Sequence, residues 1–356
     1  MRLVPIECIK EGAFLGKTIY DNDGRILLRQ GVILNNNYID RIRQLGIFSL
    51  YINDEYSSAE IEDIIKPELR QKSIKTLKNY FSHIQNYHKK NEEYFSSIFD
   101  IANSIIDELA GRNDLMVNLV DIKSMDNYTY QHSVNVAILS LIIGIQLQLN
   151  KDELYKLCTG ALLHDIGKVF IPKEIIQKKE KLLPEEYDLI KEHTTKGYNY
   201  LKNNIDISPV SRIIILQHHE KVNGTGYPDG KKGNDINKLA RIVAIADVYD
   251  ALTSDRPYRR AMSPNEAIEY ILGSGQTYFD FEMVKVFSEC IVPYPVGTLV
   301  RLSNNDVAVV EKIFPHFALR PIVKVIKSDN VSTIGKVINM MSELDLVIKE
   351  TEYAMN

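Results

Sequence analysis

The chain has 356 residues, 45% of them hydrophobic and 25% charged, with 43 Lys and Arg against 47 Asp and Glu for a net charge of −4. That composition excludes a disordered or collagen-like chain, and the length fits two domains or one large domain with appendages. A faintly acidic chain lacks the clustered positive charge that supplies most non-specific DNA affinity, so no DNA partner is expected.

The first zone, residues 1–55, carries short runs rich in β-branched residues. Residues 17–20 and 25–28 flank Asp21-Asn22-Asp23-Gly24, a turn sequence that predicts a hairpin. Tyr38, Ile39, Ile42 and Leu45 then repeat at helical spacing, with Gly46 placed to end the helix, and residues 48–52 return to strand character. This is a small α+β module, below the size that usually stands alone. Residues 56–93 are charged and helix-forming, and predict a helical connector. Residues 94–292 are dominated by helical periodicity, as in Ile98, Ile101, Ile105 and Leu109, or Val134, Ile138, Leu141, Ile142 and Ile145. Prolines mark the breaks between these segments, so this zone is expected to be an all-α domain. Pro293 and Pro295 close it. Residues 298–302, 307–310 and 321–326 of the last zone, 293–356, read as short strands, with a hairpin turn at 303–306. The fold class expected is mainly α, with a small α+β appendage before the helical domain and a β-rich one after it.

Cys8, Cys158 and Cys290 are far apart and form no C-x-x-C pair. Neither a disulfide framework nor a thiolate zinc site is expected, which suits a reducing cytoplasm. The most apolar stretch, 136–149, is broken by Ser140, Gly144, Gln146 and Gln148 and falls short of the ~20 residues of a membrane helix. No basic leader with an apolar run opens the chain. A cytoplasmic protein without a membrane span is the expectation.

The chemistry concentrates in the helical zone. His132, His164, Asp165, His193, His218, His219 and Asp247 include five of the chain's eight histidines. Imidazole and carboxylate without thiolate suit Fe, Mn, Zn, Co or Ni. The set exceeds the four ligands of one tetrahedral site and is about right for two ions sharing a bridging carboxylate. Apolar runs lead directly into His164-Asp165, His218-His219 and Asp247, and a carboxylate beside buried runs is costly unless paired or metal-bound. A lone histidine in such a place is more often a hydrogen-bonded core residue. Several helices each delivering a His or Asp to one core is how metal sites in bundles are built.

His164-Asp165-Ile166-Gly167-Lys168, together with His218-His219-Glu220 and Asn223-Gly224-Thr225-Gly226-Tyr227-Pro228, resembles the signatures of HD-GYP domains. These are the HD-superfamily phosphodiesterases that hydrolyse the bacterial second messenger cyclic di-GMP. Tyr128 to His132, His193 and the run from Ala246 through Asp250 to Arg259 are similar in the same order, and the likeness covers 120–292. It implies an HD-type helical fold over 94–292 and a metal-dependent cyclic di-GMP phosphodiesterase making pGpG, GMP or both. By the resemblance, the residues holding two divalent ions, Fe or Mn foremost and Zn, Co or Ni next, would be His164, Asp165, His193, His218, His219 and Asp247. Asp165 would bridge the ions and His132 would complete the site. Some members hold a third ion through a Glu four residues before the first His, where this chain has Tyr128, so two are expected. Asp165 and Lys168 would be catalytic, with Lys168 steadying the scissile phosphate. Lys168, Gly224, Gly226, Tyr227, Pro228, Arg256 and Arg259 would line the substrate groove.

The physical logic agrees. Hydrolysis of an anionic diester builds charge on the phosphoryl oxygens, which two ions and a lysine stabilise. Arg256 can fork onto the second phosphate, and Tyr227 offers a flat face to a base. Simpler roles stay open: Lys168 as a helix-end lysine, residues 224–228 as an ordinary turn, Arg259 as a solvated cation. The chain departs from the family where Asn223 stands for Asp and Lys221-Val222 for Arg-Trp. The alternatives are another cyclic dinucleotide as substrate, or a catalytically silent receptor signalling through the flanking modules. A homodimer through the connector, and signalling partners for the loop and the flanking modules, complete the expectations.

Overall fold

The computed structural model describes residues 1–356 except 22–23, 58–62, 88–91, 113–127, 179, 255–260, 315–316 and 354–356. The N-terminal module pairs β1 (Arg2–Pro5), β5 (Ser49–Asn53) and β2 (Phe14–Leu15) in the order β1-β5-β2. Beside them stands the hairpin β3 (Ile19–Tyr20) and β4 (Ile26–Leu28) expected from the turn sequence. Asp21 accepts the Arg25 amide across that turn. Helix α1 (Asn36–Gln44) starts where the Asn35 side chain accepts the Tyr38 amide at 2.9 Å. Val4, Leu15, Ile39, Ile42 and Leu50 close the core of the module.

The central body is helical, as expected. It comprises α2 (Pro67–Tyr87), α3 (Glu92–Ala110), α4 (Tyr128–Gln146), α5 (Lys151–Leu163), α6 (Lys173–Ile176), α7 (Pro184–Lys191), α8 (His193–Leu201), α9 (Pro209–Gln217), α10 (Lys238–Leu252), α11 (Pro264–Gly273) and α12 (Phe281–Cys290). One continuous core joins all of these except α6 and α7, which bury no residue. Within the segment expected as a connector, α2 contributes Ile74, Leu77, Tyr80, Phe81 and Ile84 to this same core. Residues 136–144 of the apolar run are buried in the bundle, Gln146 and Gln148 are exposed, and no helix among the described residues is long and apolar enough to cross a membrane.

The C-terminal module is an antiparallel sheet in the order β10-β6-β7-β8-β9. Its strands are β6 (Leu299–Leu302), β7 (Val307–Lys312), β8 (Ile322–Lys327), β9 (Val337–Asn339) and β10 (Ile348–Glu352). The chain then returns to its start: Arg2 donates to the Tyr353 carbonyl at 3.1 Å, and Tyr353 packs on the N-terminal core.

Candidate metal centre

Four of the elements deliver their ligands at helix ends. His164 caps the C-terminus of α5, and Asp165 follows it at the head of a 3-10 turn (Ile166–Phe170). His193 opens α8, while His218 caps α9 with His219 just beyond. The remaining two, His132 on α4 and Asp247 on α10, come from within long buried helices. Six of the seven are buried; the His219 side chain is 25% exposed and marks the open edge.

Three histidines share one local device. His164, His193 and His218 each set Nδ1 against the carbonyl three residues back, at Ala161 (2.7 Å), Ile190 (2.6 Å) and Ile215 (2.9 Å). Those carbonyls lie in the last turns of α5, α7 and α9, where the regular helical ladder of donors runs out, although the Ala161 carbonyl also receives the His164 amide at 3.5 Å. The carbonyl assigns the proton to Nδ1, so each Nε2 carries a lone pair aimed inward. The Nε2 atoms of His193 and His218 then sit 3.2 Å apart. Two acceptors cannot bond each other, but two nitrogens held at about 2.0–2.1 Å by one ion lie roughly 3.0–3.4 Å apart. In addition, His164 Nε2 and Asp165 Oδ1 are buried without a hydrogen-bond partner. A cation answers each of these features, so the donor set fits a metal.

Charge states point the same way. Burial pushes His193 down to about 4 and His219 down to about 3, and holds His218 well below its usual value, so these imidazoles are neutral at pH 7, the form in which imidazole can bind a metal. Burial alone would raise Asp165, but the Lys168 ammonium and His164 overcome it and keep the carboxylate ionised. Asp247 is likewise held ionised against burial, by the His132 hydrogen bond and His219. His132 is the exception: burial lowers it, yet Asp247 and Asp250 outweigh that and raise it to about 9.

The ligand atoms fall into overlapping groups, each within 4.8 Å: His132, His164 and Asp247; His164, Asp165 and His218; His193, His218 and His219. Asp165 lies between the outer two, with Oδ2 3.4 Å from His164 Nε2 and Oδ1 3.5 Å from His193 Nε2. This is the placement a bridging carboxylate needs. Lys168 reaches back from the 3-10 turn to set Nζ 2.6 Å from Asp165 Oδ2, with its side chain 30% exposed. Gly167 lets that turn press against α8, because a Cβ there would overlap the His193 carbonyl and lie 2.7 Å from the Gly197 nitrogen.

The loop after His219 folds over the open edge. Buried Glu220 accepts the Asp229 amide at 2.8 Å and the Lys231 amide at 3.0 Å, which closes residues 221–230 into a compact turn. Gly226 packs where a Cβ would meet Glu220 and Lys221 main chain, and Gly224 has φ +83°. The Tyr227 amide donates to the His219 carbonyl at 3.2 Å and its ring lies 4.8 Å from the His219 ring, with Pro228 next in the loop. Asn223 accepts both the amide and the hydroxyl of Thr225, so it serves as a turn cap. Lys221 stacks over Tyr278 at 3.9 Å. Arg256 and Arg259 lie outside the described residues.

Behind His132 stands a network to which sequence reasoning gave no role. Asp250 Oδ2 is 2.7 Å from His132 Nδ1, Asn135 donates to Asp250 Oδ1 at 3.0 Å, and Arg70 of α2 donates to Asn135 at 2.6 Å. The first two had a signal: Asp250 is three residues from Asp247 and Asn135 three from His132, the spacing of a shared helix face. Arg70 had none, being far away in sequence.

A family model described as HD domain matches residues 105–283. A cyclic di-GMP phosphodiesterase of Pseudomonas aeruginosa is 36% identical over 228 residues, covering 63% of this chain and 55% of that protein. Cyclic di-GMP phosphodiesterase PdeB of Borreliella burgdorferi is 29% identical over 233 residues, or 64% and 61% of the two chains. The 3'3'-cGAMP-specific phosphodiesterase 1 of Vibrio cholerae is 41% identical over 163 residues, 46% of this chain and 37% of that one. This chain therefore spans less than two thirds of the length of each of these relatives. Among solved structures, an HDG"Y"P protein from Bdellovibrio bacteriovorus shares the fold, with a TM-score of 0.53 at 19% identity over 80% of this chain and 97% of that one. With half of its length matched, the chain belongs to the HD-domain family, as the resemblance of its His-Asp and Gly-Tyr-Pro motifs implied.

Proposed function

We propose that the centre holds two divalent ions and hydrolyses cyclic di-GMP, adding water across a P–O3′ bond to leave a 5′-phosphate and a 3′-hydroxyl in linear pGpG, with GMP from a second cut. The observation that carries this reading is Asp165, set between two groups of inward-facing imidazole nitrogens with Lys168 on its outer oxygen. Its support for the substrate is the two relatives named for cyclic di-GMP.

Bound ions supply Lewis acidity and, from water, a hydroxide at neutral pH. The residues do the rest. Buried neutral imidazoles and ionised Asp165 and Asp247 bind without prior proton loss, His132 excepted. Lys168, fixed at 2.6 Å from Asp165 and partly open to solvent, places a cation where a phosphoryl oxygen gains charge. Tyr227 offers its face beside His219, where a guanine can stack, and Gly224 and Gly226 let the loop that carries it fold tightly onto its own chain. Arg256 and Arg259 belong to the same groove on this reading, in a protein working in the reducing cytoplasm.

A mixed adenine–guanine dinucleotide is the second reading, favoured by the 41% identity to a 3'3'-cGAMP-specific relative. The test is product chromatography on protein loaded with Mn or Fe, with each dinucleotide supplied separately. Linear product from cyclic di-GMP, abolished by His164→Ala and Asp165→Ala, is expected. Turnover of the mixed dinucleotide alone would select the second reading. Binding without turnover would replace the enzyme with a receptor.

A further inference from the structure

Tyr227 can serve one base only. Its ring lies 4.8 Å from the His219 ring at an angle of 34°, so one face is taken and one is left. A cyclic dinucleotide carries two purines, and the second needs a flat partner of its own.

Helix α7 supplies that partner. The helix buries no residue, yet its last turn is joined to the centre, because the Ile190 carbonyl meets His193 Nδ1 at 2.6 Å. Tyr187 stands three residues before Ile190, on the same stripe of the helix. It is 48% exposed. Lys191, one turn on, sets its ammonium 4.7 Å from the centre of the Tyr187 ring and pairs with Asp188 at 2.7 Å. One face of the ring is thereby covered, and the other is open to a planar group. Tyr187 also belongs to the surroundings of Tyr227: burial first, and Tyr187 next, push the Tyr227 hydroxyl up, ahead of Asp247 and Asp165. Electrostatic influence falls with distance, and a group that outranks two carboxylates of the centre is a neighbour. The helix is fixed in this place. Glu186 accepts the Leu183 amide at 2.8 Å and the Lys178 ammonium at 2.7 Å on each oxygen, tying α7 to the chain just past α6. A ring held on a fixed helix loses little freedom when a ligand arrives.

We infer that Tyr187 is a substrate contact whose open face stacks on the second purine of the dinucleotide while Tyr227 takes the first. The inference rests on the proposed dinucleotide substrate, and it holds for cyclic di-GMP and for the mixed dinucleotide alike, since both bring two purines. A stacking face meets the π-surface of a base and not its edge, so Tyr187 adds affinity without choosing between guanine and adenine.

The test separates this contact from turnover. The chain has no tryptophan, so Tyr187→Trp carries the only indole and keeps a stacking face. The Mn²⁺-loaded variant is titrated with the phosphorothioate analogue of cyclic di-GMP, which resists hydrolysis, and with inorganic phosphate as a ligand without a base. The analogue is expected to quench the indole emission saturably, and phosphate to leave it unchanged. In steady-state kinetics Tyr187→Ala should raise KM by about 5-fold or more, the weak end of base–aromatic stacking. Its kcat and Mn²⁺ affinity should not change, as loss of uniform binding requires. Tyr187→Phe, which keeps the ring, should restore KM. Analogue binding seen by calorimetry without any change in indole emission overturns the contact, as does an unchanged KM in folded Tyr187→Ala. A fall in kcat or Mn²⁺ affinity at constant KM makes Tyr187 a support for His193 through α7 and overturns it too. No binding of the analogue overturns substrate and contact together. Turnover of neither dinucleotide by the parent protein overturns the proposed function instead, and the indole titration then judges the contact alone.

Discussion

Asp250→Asn isolates the support of one ligand from the ligand itself. Asp250 uses both oxygens as acceptors, Oδ2 toward His132 Nδ1 at 2.7 Å and Oδ1 toward Asn135 Nδ2 at 3.0 Å. An amide has one acceptor, so it must turn a donor against either His132 or Asn135. The substitution also removes one of the two carboxylates that outweigh burial and raise His132 to about 9. Loss of such a partner behind a ligating histidine typically costs 10–100-fold in metal affinity, or about 1.4–2.7 kcal/mol. The loss should fall on the ion in the His132, His164 and Asp247 group, because the His193, His218 and His219 group has its own carbonyl supports. Competition with a chelator of known affinity should therefore resolve one weakened Mn²⁺ and one within about 2-fold of the parent protein, an allowance well inside the partner effect. A circular dichroism melt checks that the variant folds. Two unchanged affinities in a folded variant would refute the claim that His132 ligates a metal from that position.

Metal removal should destabilise the helical body, since the orphaned His164 Nε2 and Asp165 Oδ1 regain no partner in the apo protein. At 100 times its dissociation constant an ion adds about 2.7 kcal/mol, a rise of about 5–10 °C in melting that a chelator should reverse; an unchanged melt would contradict a native-state site. Gly167→Ala places a Cβ against main chain of His193 and Gly197, which cannot yield as a side chain can, and should cost about 1–3 kcal/mol together with metal affinity. Gly273→Ala, at the end of α11 with nothing within 4 Å, should instead be neutral or stabilise by up to about 1 kcal/mol, and urea melts of the pair compare them. N-ethylmaleimide should label native protein at half-buried Cys8 and spare Cys158 and Cys290, both buried, the latter with its thiol pushed up to about 12. Mass spectrometry showing Cys158 modified before unfolding would show that its packing is wrong.

The parts of this structure that the sequence revealed are those whose cause is local. His164, His193 and His218 sit just past helical turns because each imidazole satisfies a carbonyl three residues back. Local spacing therefore exposes these candidate ligands without any tertiary information. Strands β6, β7 and β8 were legible because their Val and Leu residues are buried, whereas β10 carries Ile-Lys-Glu-Thr-Glu and reads as polar coil. It is an edge strand, charged as edges often are, and it is held by the Arg301 ion pairs to Glu350 and Glu352. Helix α2 looked like a connector because Lys72, Lys75 and Lys78 dominate its composition, although Ile74, Leu77, Phe81 and Ile84 keep the spacing of a buried face. Arg70 behind Asn135 was beyond reach, because that contact spans 65 residues and nothing at either end announces the other.

Charge bookkeeping at the centre explains why the net charge of −4 says so little about the ligand. Among the described residues of the cluster, the carboxylates aimed at the interior are Asp165 and Asp247; Asp250 is turned outward onto His132 and Asn135. The imidazoles of His193, His218 and His219 are neutral. Two divalent ions on that set would leave an excess of positive charge, increased by Lys168, at the edge where His219 is exposed. A phosphodiester meets that excess, and a neutral ester or peptide does not. A third ion would add two more charges with no further carboxylate to meet them, a heavy cost at low dielectric. The same count that favours a phosphate substrate supports the proposal of two ions over three, and Tyr128→Glu, at the position where the resemblance places a ligand of a third ion, is the substitution that tests it.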